Sequence, residues 1–359
     1  MNDWDKVEKR RRQATEQDIF FEYLKTACFV TIGLVYLYFL FIHKGKDMNL
    51  GYACINMQLS YPQKYGGKPK GISPITTNRS MIKRTFESKG LDYASELTLA
   101  NAKDLNQIVQ WNVLNGYNFF RITSGLAPWK TEYDWKDLKD IDEIEGYLSS
   151  AGWVARTHNL RITTHPGPFN VLTSPHEHVV QNCVKDLTIH GDVMDMMSLS
   201  RTPFNKINIH LGGAYGDKES AMDRFCKNFE LLPESVRSRL TVENDDKASM
   251  YSTKELYNGI YKRIGVPIVF DYHHHRFCDG GLSEQEALEL AISTWPEDIT
   301  PATHYSESRS KEQSDESIKP QAHSDYVYQK INTYGHDIDI MIEAKRKELA
   351  VERYLELHG

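Results

Sequence analysis

Seven residues of metal-ligating type stand where short apolar runs stop or just beyond them. His165 closes ITTH, His210 closes INIH and Glu243 closes LTVE. Asp271 closes IVFD with His274 three residues on, His304 closes PATH, and Glu343 closes IMIE. A lone histidine is ordinarily structural, but six runs ending this way exceed chance placement, and carboxylates buried together without a cation are costly. The set reads as the ligand shell of a divalent metal cluster, and mixed imidazole and carboxylate donors suit Mn, Zn or Fe(II) better than Ca. Adjacent ions of this kind generate hydroxide and stabilise both attacking and leaving oxygens. The chemistry implied is phosphodiester hydrolysis with no side-chain nucleophile, in which Glu243, Asp271 and Glu343 act through the metal. GGAYGDK after His210 is Gly-rich but lacks the spacing GxxxxGK[ST], which disfavours nucleoside triphosphate binding.

Ligands scattered over the chain converge only if successive strands end at one place. Short apolar runs predict strands at 50–55, 119–123, 161–164, 206–209, 240–242, 268–270, 299–303 and 337–342. Helical patterns fall between or after them at 103–114, 220–232, 284–295 and 343–357. This alternation is an α/β pattern, and eight such units predict a TIM (β/α)8 barrel over 48–359, whose functional residues sit at the C-terminal strand ends. Two long connections stand out. Residues 61–75, with Lys64, Lys68 and Lys70, are expected to meet the substrate, and the Ser-rich stretch 305–321 reads as a solvated, mobile loop.

Composition narrows the class further. The five cysteines form no CxxC pair, so neither a disulfide framework nor a zinc ribbon is suggested. The net charge of −6 excludes holding a polyanion by bulk positive charge, so any nucleic-acid contact has to be local. Residues 1–47 form a basic extension of net +1 containing an uncharged, mostly apolar run at 26–42. As a helix that run spans roughly 26 Å, so an N-terminal hydrophobic helix, acting as a single transmembrane anchor, is expected. The cluster Lys9, Arg10, Arg11 and Arg12 precedes it, whereas Lys44 and Lys46 follow. The positive-inside rule would then put the barrel across the membrane, at odds with unpaired cysteines. Translation from Met48, leaving a soluble cytoplasmic or nuclear enzyme, is the competing expectation, and an inactive membrane-anchored scaffold is another.

The motifs GYACIN, ITTHPGPF, HLGGAYGDK, LTVEND, VFDYHHH, HYSES, HSDYV and MIEAK together resemble those of the UV damage endonuclease family, covering about residues 50–357. The resemblance implies a TIM barrel related to endonuclease IV that nicks damaged double-stranded DNA on the 5′ side of ultraviolet photoproducts. It implies a divalent metal cluster, commonly manganese, with zinc as the alternative. As ligands it carries over His165, His210, Glu243, Asp271, His274, His304 and Glu343, and it adds His190 from LTIHGDVMD. It also implies that Tyr52 and Asn56 face the DNA and that His323 sits near the phosphate. Two departures are visible: a metal-proximal lysine of bacterial members, two residues before the histidine matching His304, is Ala302 here, and the family's damage-probing polar and aromatic residues just after the His190 position are replaced by GDVMD. An abasic-site endonuclease and a metal-dependent sugar isomerase-like barrel are the rival enzymatic readings.

Overall fold

β-branched and aromatic residues crowd the short runs, and such residues suit a pleated, buried surface. Each run forms a strand: β1 (Leu50–Ala53), β2 (Phe119–Ile122), β3 (Arg161–Thr164), β4 (Ile207–His210), β5 (Leu240–Glu243), β6 (Ile268–Asp271), β7 (Ala302–Tyr305) and β8 (Asp339–Ile342). Every neighbouring pair is parallel and β8 returns to β1, so the sheet closes into an eight-stranded barrel. The computed structural model describes residues 48–359, and the expected apolar segment 26–42 lies outside them. Among the described residues no helix is long and apolar enough to cross a membrane.

The principal helices are α1 (Lys83–Leu114), α2 (Ile141–Thr157), α3 (Glu177–Met196), α4 (Lys218–Phe229), α5 (Thr253–Leu256), α6 (Glu284–Ile292), α7 (Arg309–Gln313) and α8 (Glu348–His358). Side chains alternate across a strand, which divides the core in two. Ala53, Phe119, Val269, Ala302 and Met341 form a small apolar group with Trp295. Their sequence neighbours Tyr52, Phe120, Ile340 and Ile342 belong to the larger core, which includes Leu105, Ile108 and Leu148 of the helices. The first residue of β3 is also buried: the Arg161 guanidinium donates to Asp339 Oδ2 at 2.8 Å and to the carbonyls of Phe204, Thr300 and Pro203.

Departures from the expected boundaries have local causes. β7 begins at Ala302 rather than 299, immediately after Pro301, which has no N–H to give a ladder. α1 begins at Lys83 and is broken within by Gly90 at φ +67°, a conformation that glycine adopts without penalty. α8 begins only at Glu348, because Lys347 takes φ +55° and interrupts any helix started at Glu343. The stretch 305–321 corrects the expectation of a free loop. It contains α7, Ser308 forms a β-bridge with His323, and the Glu312 carboxylate accepts from the amides of Asp325 at 2.7 Å and Tyr326 at 3.0 Å.

Candidate metal centre

The same alternation that fills the barrel carries its polar residues upward. His210 pairs in register with Glu243 and Asp271 with His304, so ligands from adjacent strands lie side by side at the C-terminal mouth. His304 Nδ1 is 3.0 Å from Glu243 Oε2 and 3.2 Å from Glu343 Oε1. His165 Nε2 lies 3.2 Å from Glu243 Oε2, His274 Nδ1 3.4 Å from Glu243 Oε1, and His210 Nε2 3.8 Å from the same oxygen. Three groups emerge whose donor atoms lie within 4.8 Å of one another: His165–Glu243–His304, His210–Glu243–His274 and Asp271–His304–Glu343. Glu243 and His304 are each shared by two groups, so any ions these groups held would have ligands in common.

The surroundings hold these atoms in place. The Asn208 amide donates to Glu243 Oε2 and accepts from Thr241 Oγ1 at 2.8 Å. Asn244 clamps the end of β6 by accepting from the Asp271 amide at 2.8 Å and donating to its carbonyl at 3.0 Å. Asp271 Oδ1 accepts from the His274 amide at 2.8 Å, capping the turn that presents that imidazole. Such outer contacts fix ligand orientation. Two ligand atoms nevertheless lack a hydrogen-bond partner, Asp271 Oδ2 and His304 Nδ1. Buried polar atoms left this way are costly, and a cation coordinated by them removes the cost, so the residues present fit a metal cluster.

Electrostatics describe the same site without ions. Burial works against the charge on His210, but Glu243 and the hydrogen-bonded Asp245, 3.2 Å away, raise it to about 10. Burial likewise opposes ionisation of Glu243, yet the imidazoles of His304, His210 and His165 hold it well below the usual carboxylate range. Asp271 goes the other way, pushed up to about 6 by burial and by the charges of Glu243 and Glu343. Burial lowers His304 to about 4. Lys206, fully buried one interior step below Asn208, places Nζ 3.0 Å from His304 Nε2 and is lowered by burial to about 7.

Not every expected residue joins this cluster. Tyr52 and Asn56 are completely buried. Tyr52 packs against Tyr117 and Phe120 and donates to Asn112 at 2.5 Å, while Asn56 donates to the Tyr52 hydroxyl at 2.9 Å. Strand alternation is the reason: Gly51 and Ala53 take the inward positions, which leaves Tyr52 facing the helices, where it braces the turn after β1 rather than offering a surface to DNA. His190 belongs to none of the three groups. Its Nδ1 is 3.1 Å from Thr164 Oγ1 and its Nε2 3.8 Å from Asp186, and it lines a neighbouring cavity of about 480 Å³ with Asn170, Lys185 and Phe169. His323 stands beside the cluster, with Nδ1 2.8 Å from the Glu343 carbonyl oxygen.

Other residues escaped the sequence reading. Asp245 lines the main cavity of about 590 Å³ together with Cys54, Arg121, His165, His210, His274 and Glu343. It lies two residues beyond Glu243, where inward alternation would have placed it. Arg121 stands just before the last residue of β2 but is not a ligand type, and Phe169 gives no signal in sequence beyond being apolar in a loop. In the structure Phe169 is 87% exposed at the edge of the neighbouring cavity.

Fold and site together define a TIM barrel with a candidate polynuclear metal centre at its C-terminal mouth. The chain belongs to the UV-endonuclease family, described as UV-endonuclease UvdE, whose profile matches residues 48–358. It is 33% identical over 324 residues to a UV DNA damage endonuclease of Bacillus thuringiensis, covering 86% of this chain and 94% of that one. It is also 33% identical over 311 residues to the UV-damage endonuclease of Schizosaccharomyces pombe, covering 84% of this chain but only 49% of that longer protein. A solved structure described as SacUVDE superposes with a TM-score of 0.71 at 27% identity, covering 86% of this chain and 97% of that chain.

Proposed function

We propose that this protein binds damaged double-stranded DNA and hydrolyses the phosphodiester on the 5′ side of ultraviolet photoproducts, leaving a 3′-hydroxyl and a 5′-phosphate. The observation that carries this reading is the convergence of three ligand groups that share Glu243 and His304. It is supported by membership of the UV-endonuclease family. The residues that would hold divalent ions, Mn²⁺ first and Zn²⁺ second, are His165, His210, Glu243, Asp271, His274, His304 and Glu343. When bound, such ions supply hydroxide at neutral pH and neutralise charge on the leaving oxygen.

The chain's own residues do the rest. Asn208 and Asn244 hold Glu243 and Asp271 in register, and His323 stands where it meets a phosphate entering the mouth. The exposed ring of Phe169 offers a stacking face for a base displaced from the duplex. Damaged, poorly stacked nucleotides cost less to extrude than intact ones, so selection falls on distortion rather than on base identity. Lys64, Lys68 and Lys70 on the long loop after β1 bind backbone phosphates on the same face.

A nicking assay tests the reading: full-length protein with Mn²⁺ and a duplex carrying one cyclobutane dimer, beside undamaged and abasic duplexes and Glu243→Gln. The expected result is a metal-dependent cut immediately 5′ of the dimer that Glu243→Gln abolishes. Cutting at the abasic site alone would move the activity to that substrate, and an intact duplex with every metal would overturn hydrolysis altogether.

A further inference from the structure

Six strands, β3 to β8, send metal-type ligands to the mouth, whereas β1 is followed by Cys54 and β2 carries Arg121 just before its last residue. Arg121 follows the inward-facing Phe119 by two residues, so it points into the barrel mouth, and it lines the same cavity as His165, His210, His274 and Glu343. Its side chain is only 13% exposed. Nη1 donates to Glu343 Oε1, while Nε is buried with no hydrogen-bond partner. The other cation lining this cavity, Lys247, is exposed at the rim on the loop after β5. The mouth thus has an acidic, imidazole-rich wall and, on the β2 side, one buried guanidinium.

Glu343 serves two masters: it holds Arg121, and it belongs to the ligand group with Asp271 and His304. If cations draw on that group, Arg121 shares its countercharge with them and stands beside positive charge. Like charges so close at a largely buried site repel strongly unless an anion lies between them. An anion with several oxygens that touches the metals on one side and a planar fork of N–H donors on the other satisfies both, and phosphate matches that fork.

We propose that Arg121 is a catalytic residue that grips a non-bridging oxygen of the scissile phosphodiester from the β2 side, next to the ligand Glu343. This rests on the endonuclease reading above, but the binding it requires is measurable without DNA. The guanidinium contributes no proton and forms no bond. It orients the phosphorus for in-line attack and stabilises the charge that gathers on the non-bridging oxygens.

The experiment measures inorganic phosphate binding by calorimetry to the Mn²⁺-loaded full-length protein, for the natural sequence, Arg121→Gln and Arg121→Lys. Metal content and nicking of the dimer duplex are followed alongside. Arg121→Gln is expected to keep its Mn²⁺, to weaken phosphate at least about tenfold, and to lower kcat/KM by about a hundredfold. Arg121→Lys, which keeps the charge but not the fork, should fall between the two and carries the test if the glutamine variant does not fold. Unchanged phosphate affinity in a metal-replete variant overturns the proposal. So does loss of Mn²⁺ from Arg121→Gln, which would make Arg121 only a holder of Glu343, and so does a natural protein that binds no phosphate. Failure to nick any duplex, with the phosphate contrast intact, would instead sink the endonuclease reading and leave Arg121 as the anion site of a different reaction.

Discussion

His210 is the residue at which the site's protons and its metal compete. Between Glu243 and Asp245 its imidazole is raised to about 10, so at neutral pH it holds a proton where a metal would require a neutral nitrogen. His304, lowered to about 4, is already neutral and has nothing to surrender. Metal uptake near neutral pH therefore has to expel the His210 proton, and each displaced proton weakens apparent affinity about tenfold per unit fall in pH. Calorimetric titration of the metal-free protein with Mn²⁺, in buffers of different ionisation enthalpy, should show release of about one proton and an affinity that declines as pH falls from mildly alkaline to neutral. A pH-independent affinity would mean that the imidazole is neutral before the metal arrives. At this scale the sequence was most legible where chemistry and position coincide, as in His165, His210 and Glu243, which each stand at or immediately after a strand. It was least legible where a side chain's direction decides its role. Tyr52 and His190 occupy motif positions, but one faces the helices and the other a separate cavity.

Elements were legible through their alternating patterns, and their ends were not, because single backbone features set them: Pro301 delays β7, and Lys347 at φ +55° delays α8. The buried start of β3 was invisible for another reason. An arginine opening an apolar run reads as a surface residue, yet Arg161 and Asp339 are 1% and 4% exposed, joined at 2.8 Å, with the guanidinium stacked near Phe119, Phe204 and Trp295. Replacing such a pair outright is often tolerated, whereas removing one partner strands a buried charge. Asp339→Ala is accordingly expected to lower stability by about 3–5 kcal/mol in urea unfolding, and adding Arg161→Met to recover a large part of it. If the double variant is as unstable as the single one, the loss lies in packing between β3 and β8 rather than in the stranded charge.

For the molecule as a whole, the net charge of −6 forbids a long electrostatic embrace of DNA, so affinity has to come from a few placed cations and from the site itself. Lys64, Lys68 and Lys70 are exposed on a loop that leaves the C-terminal end of β1, the end at which the ligand cluster sits. The loop is tied at its base, where Ser60 donates to the Ile75 carbonyl at 3.0 Å, and across its middle, where Gln63 donates to the Ile72 carbonyl at 2.9 Å. The loop is also joined to the segment after β8, where the Arg346 guanidinium, three residues past Glu343, donates to the Tyr65 hydroxyl. Each phosphate contact contributes about 0.9 to the slope of log affinity against log salt. Substituting all three lysines with glutamine should flatten that slope by about 2–3, measured by fluorescence anisotropy on the dimer duplex over a salt series. The cleavage rate at saturating DNA should stay unchanged, because these side chains hold the duplex and do not touch the reacting phosphorus. An unaltered slope would assign the lysines to solvation alone and shift the search for backbone contacts to the loop after β2 and to α3, where Lys130 and Lys185 border the cavities beside His190.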